Sequence, residues 1–116
     1  MDMKIIEQIF AADKHVRFVG ILASDLKTVL SKARQGLKTT ERKKCSDDSL
    51  VNLAAPIVLG TLSNFADKCG KFICAGVRYN EVTLIFFKIG DMHVVVSADP
   101  GPPYIIMQNI EEKLQI

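Results

Sequence analysis

Two segments of this chain are apolar on both alternating faces: Val16-Arg-Phe-Val-Gly-Ile-Leu-Ala and Val82-Thr-Leu-Ile-Phe-Phe. A half-buried strand alternates apolar with polar residues, so a strand with two apolar faces needs a cover on each side. The chain has 116 residues, which fits one domain spanning 1–116 with a single core. Within that length, the two segments call for one sheet whose inner strands are covered by helices on both faces.

The remaining pattern supplies those elements. Residues 3–13 place Ile5, Ile6, Ile9, Phe10 and Ala12 at helical spacing, with charged and amide side chains between them. Ser24-Asp25 reads as a turn between strands 16–23 and 28–35, and the second strand carries Lys32 and Arg34 on one face, as an edge strand does. Residues 36–48 are a polar loop leading to an N-cap at Ser46, Asp47 or Asp48. A long middle helix then runs to about Lys68, with Gly70 as its C′ residue and a kink or late start at Pro56. Strands 71–79, 81–89 and 92–98 follow, joined at Tyr79-Asn80-Glu81 and Gly90-Asp91 as an antiparallel meander. After the Asp99-Pro-Gly-Pro-Pro turn, residues 104–116 form a last helix. The expected fold class is α+β: a five-stranded antiparallel sheet with helices on both faces, in the order α-β-β-α-β-β-β-α.

That order resembles the Roadblock/dynein-light-chain family and its profilin-like relatives over nearly the whole chain. The likeness rests on Val16–Ala23, a turn and Thr28–Gln35, and on the Asn80 and Gly90-Asp91 hairpins. Through Val16-Arg-Phe-Val-Gly-Ile and Leu84-Ile-Phe-Phe-Lys-Ile-Gly-Asp the chain is similar to small archaeal members of the family. The resemblance implies a homodimer in which the middle helices pack together and an edge strand continues the sheet. It also implies a non-enzymatic role as a scaffold or regulator of a small GTPase or motor-type assembly. Leu37–Asp48, with four basic residues, is longer and more charged than the corresponding family segment.

Composition narrows the function classes. Fifteen basic against thirteen acidic residues give +2, which by itself does not call for nucleic acid. The charged N-terminal residues Asp2, Lys4 and Glu7 do not fit a signal peptide, and no apolar run reaches a membrane span. Cys69 and Cys74 are five apart, without redox-pair or zinc spacing, and His15 and His93 stand alone. Single scattered glycines make no phosphate-binding loop. The expectation is a cytoplasmic protein with reduced thiols, no cofactor, no metal and no catalytic residues.

Two sets of residues are candidates for binding. Leu53, Ile57, Gly60 and Ser63 gather small and apolar residues on the back of the middle helix, where a second helix can approach closely. An uncompensated glycine there costs about 1 kcal/mol. Phe72 and Cys74, alternating with Gly76 on the next strand, extend that interface if the strand is an edge. The second set is the basic patch Lys32, Arg34, Lys38, Arg42, Lys43 and Lys44, which reads either as a solvated edge strand and loop or as a surface for an acidic partner, a phosphate-bearing ligand or nucleic acid. No aromatic residue interleaves these cations, which disfavours nucleic acid, and the segment lacks the apolar face a membrane surface requires. The reading is a homodimeric scaffold or regulatory module. The alternative is a small-ligand sensing domain of PAS or GAF type.

Overall fold

A computed structural model describes residues 2–25, 27–34 and 65–116. In chain order these form α1 (Asp2–Ala12), β1 (Val16–Leu22), β2 (Thr28–Ala33), α2 (Ala66–Cys69), β3 (Cys74–Arg78), β4 (Thr83–Ile89), β5 (Met92–Ala98) and α3 (Pro103–Leu114). The predicted order holds, and the predicted middle helix ends where expected, with Gly70 at φ +87° after Cys69. The rest of that helix and the loop before it, including Leu53, Ile57, Gly60, Ser63, Lys38, Arg42, Lys43 and Lys44, lie outside the described residues.

The sheet is antiparallel throughout, in the spatial order β2-β1-β5-β4-β3. β3, β4 and β5 are the expected meander, and Gly90 at φ +60° makes the two-residue turn between β4 and β5. What the local pattern does not foretell is that β5 is the central strand, paired with β1 from Val16↔Ala98 to Leu22↔His93. The double apolar faces of β1 and β4 follow from this order, since every residue of β1 and the first five of β4 are buried.

One face of the sheet is covered by α1 and α3. Ile6 and Ile9 of α1 and Ile106 and Ile110 of α3 pack over Val19, Ile21, Ile85, Phe87, Val94 and Val96. The other face carries a second cluster of Phe18, Leu22, Val82, Leu84, Phe86 and Val95. Phe86 and Phe87 are wholly buried on opposite faces of β4, each stabilising by about 2–3 kcal/mol through removal from water. Thr83 pins the turn that delivers α3: its Oγ donates to the Gly101 carbonyl at 2.7 Å and accepts from the Gly101 N–H at 3.0 Å.

Candidate interaction edge

The two outer strands are built differently. β2 is irregular: its register against β1 shifts between Ile21↔Leu30 and Leu22↔Thr28, leaving Val29 as an extra, exposed residue. Lys32 lies beyond the bulge. A bulge and a lysine both hinder a further strand from pairing. β3 pairs with β4 in unbroken register from Cys74↔Phe87 to Arg78↔Thr83.

The hydrogen bonding of β3 determines which of its backbone groups face outward. The Lys88 N–H donates to the Ile73 carbonyl at 3.0 Å, and the Tyr79 N–H donates to the Val82 carbonyl at 2.8 Å. In an antiparallel pair, hydrogen-bonded and non-hydrogen-bonded residues alternate. Ile73, Ala75, Val77 and Tyr79 therefore bond toward β4, and Cys74, Gly76 and Arg78 direct N–H and C=O away from the sheet. Two large apolar side chains stand at the ends of this row, Ile73 and Tyr79, each more than half exposed. The edge thus offers backbone hydrogen bonds and apolar area together.

Gly76 is held to glycine from the other side. A Cβ there would stand 2.7 Å from Pro103 Cβ and 3.1 Å from Met107 Sδ, so α3 crosses β3 in contact with its backbone. Phe72 and Cys74 do not share a face, contrary to their alternation in sequence. The ladder begins at Cys74, and Phe72, just before it, packs with the second cluster while Cys74 packs with the helix-covered one. The Cys74 thiol donates to Glu111 of α3 at 3.3 Å, which turns it inward rather than along the edge. Burial, and then the hydrogen bond and charge of Glu111, push that thiol up to about 11.

Of the basic patch, two residues are described. Lys32 is half-buried on β2. Arg34 turns back onto the chain: Nε donates to the Val16 carbonyl at 2.6 Å, and Nη2 to the carbonyls of Phe10 and Asp13 at 2.9 and 3.0 Å. Its guanidinium lies 4.9 Å from the Phe10 ring centre. α1 has no basic residue in its last turn, and Arg34 supplies the missing cation at the negative end of its dipole. No local pattern signals this, because the partners are 18 to 24 residues away.

A polar cluster that sequence reading missed joins the same end of α1 to α3. Asp13 Oδ1 accepts from the His15 N–H and Nδ1, both at 2.8 Å, and Oδ2 accepts from Asn109 Nδ2 at 2.9 Å. Burial pushes the Asp13 carboxyl up, but the His15 N–H, the Asn109 amide and the His15 ring together hold it below the ordinary 3.8. Among the described residues no three His, Cys, Asp or Glu side chains gather as metal ligands, and no helix is long and apolar enough to cross a membrane.

No protein-family model and no curated protein sequence matches the chain. Solved structures do match its fold. A Roadblock/LC7 domain from Streptomyces avermitilis is 15% identical, with a TM-score of 0.57 over 87% of this chain and 81% of that one. MglB from Myxococcus xanthus is 16% identical, with a TM-score of 0.61 over 96% of this chain and 91% of that one. An MglB solved in a tetrameric arrangement is 11% identical, with a TM-score of 0.68 over 96% and 80% of the two chains. The fold is that of Roadblock/LC7 domains.

Proposed function

We propose that this chain is a non-enzymatic regulatory or scaffolding module that works as a homodimer, with the β3 edges of two copies joined into one continuous sheet. The observation that carries the reading is the contrast between a bulged β2 and a regular β3 whose outward backbone groups lie between the exposed Ile73 and Tyr79. What this edge provides is suited to association and not to bond-making chemistry. The Roadblock/LC7 fold, and an MglB of that fold solved in a tetrameric arrangement, support self-association. A two-fold platform made this way presents paired surfaces to a protein partner, of which a small GTPase or a motor-type assembly fits the resemblance in sequence. The unpaired thiols of Cys69 and Cys74 support a cytoplasmic setting.

The test uses the outward N–H of Arg78. Proline at that position removes a donor that β4 does not use, so the single chain tolerates it as edge strands do. Light scattering at micromolar concentration is expected to give the mass of two chains for the wild type and of one for Arg78→Pro, with the circular dichroism unchanged. A wild-type mass of one chain would sink the reading, as would a dimer that Arg78→Pro leaves intact.

A further inference from the structure

The two ends of β3 carry opposite charge on the helix-covered face of the sheet. Cys74 packs on that face and Gly76 meets Pro103 and Met107 of α3, so alternation along the strand puts Arg78 there as well. Glu111 of α3 stands at the Cys74 end, half-buried, with its carboxylate 3.3 Å from the Cys74 sulfur. A thiol is a weak donor, so most of the accepting capacity of that carboxylate is left over. Arg78 lies at the far end, about 13 Å away at the rise of a strand. It is exposed, and its side chain makes no hydrogen bond or ion pair among the described residues.

Two copies joined at β3 by a two-fold axis normal to the sheet run antiparallel, and few registers suit them, because Cys74, Gly76 and Arg78 are the residues whose backbone groups turn outward. With the axis at Gly76, Gly76 faces the partner's Gly76 and Cys74 faces the partner's Arg78, so every outward residue finds a place in the ladder. With the axis at Ala75, Arg78 loses its place; with the axis at Val77, Cys74 does. The Gly76 register also sets Ile73 opposite the partner's Tyr79 as a non-hydrogen-bonded pair, the kind in which side chains stand closest. Both exposed apolar ends are then covered, on the face opposite Arg78.

Resting on the β3-edge dimer proposed above, we infer that its two-fold axis passes through Gly76 and that Arg78 of each copy forms an ion pair with the partner's Glu111. Residues facing each other as a hydrogen-bonded pair are about 5.5 Å apart at Cα. That sets the partner's Arg78 beside Cys74 and, on the same face, against the carboxylate that Cys74 touches. The contact occurs twice, once on each side of the axis. It also favours a second copy of this chain over a foreign strand, which has to supply a cation, an acid and apolar residues at these same offsets.

The test mixes two variants of the full chain, Arg78→Glu and Glu111→Arg, and follows mass by light scattering over a dilution series. Alone, each variant sets like charges against each other at both contacts, and association is expected to weaken about tenfold or more. Mixed in equal amounts, the two form a heterodimer in which both contacts join opposite charges, and association returns to within about threefold of wild type. A pair formed inside one chain gives no such rescue. If circular dichroism shows either variant unfolded, Ile73→Cys and Tyr79→Cys, each in a Cys45→Ser, Cys69→Ser background, read the register instead. Mild oxidation is expected to link these two variants to each other and neither to itself. Charge variants that associate like wild type, no rescue on mixing, or a crosslink of either cysteine variant to itself would overturn the inference and leave a β3-edge dimer standing. A wild-type mass of one chain removes the dimer as well.

Discussion

The two edges of one sheet have been treated in opposite ways. At β2 the ladder is broken by Val29, Lys32 sits in the strand, and the residue after it, Arg34, is fastened to the carbonyls of Phe10, Asp13 and Val16. At β3 the register is unbroken, Gly76 carries no side chain, and apolar residues stand on either side. An open edge is a hazard for any sheet protein, and β2 shows how this chain guards against it. β3 has no such bulge, and the proposed dimer pairs this regular edge and leaves the bulged one free.

The largest effect should come from closing the space at Gly76. Gly76→Val drives side-chain atoms into Pro103 and Met107, and is expected to destabilise by about 3 kcal/mol or more by forcing α3 off the strand. Thermal and denaturant unfolding measure this; a stability within 1 kcal/mol of wild type would mean that α3 gives way at no cost. On the other edge, Arg34→Ala leaves three carbonyls without their cationic donor and should cost about 2–3 kcal/mol. Arg34→Lys should recover only part, since an ammonium lacks the planar fork that reaches Val16 and Phe10 together.

Next to Arg34, the Asp13 tie makes stability depend on acid. Its carboxyl titrates lower in the folded chain than its ordinary 3.8, so its contribution is present above that pH and is lost as the pH falls through the folded value. Asp13→Asn should cost about 1–2 kcal/mol at neutral pH and flatten the unfolding profile below pH 4. His93 acts in the same direction at higher pH. Burial, and then the charge of Lys88, hold it below 6.5, so stability begins to fall as the pH drops past that value. His93→Gln should remove that upper step alone. An acid profile unchanged in both variants would place the sensitivity elsewhere.

The smallest effect concerns how β3 turns its thiol. With Cys74 at about 11 against the ordinary 9.0, alkylation at pH 8 followed by peptide mapping should modify exposed Cys69 first and Cys74 about a hundredfold more slowly than an ordinary thiol. Rapid labelling of Cys74 would mean that its side chain lies along the edge after all. Glu111→Gln should speed its labelling by removing the neighbouring charge.

Helix and strand positions were legible because hydrophobic periodicity and turn residues act over short stretches of chain. The two-faced apolar runs of β1 and β4, the Gly90-Asp91 turn and the glycine after Cys69 each state a local backbone requirement. The site was legible only in part. Phe72 and Cys74 alternate in sequence, yet they separate because the ladder starts at Cys74, and Arg34 reads as surface charge until α1 is placed beside it.

What the sequence determined by itself is therefore the set of elements, their order and the need for cover on both faces of the sheet, since the spacing of apolar residues already imposes these. Tertiary structure decided what depends on residues far apart meeting: β5 between β1 and β4, Asp13 joined to Asn109 across 96 positions, and an outer β3 with Pro103 against Gly76. Pairing and packing of that kind are settled by the closing of the whole sheet, and no local stretch of chain encodes which partner arrives.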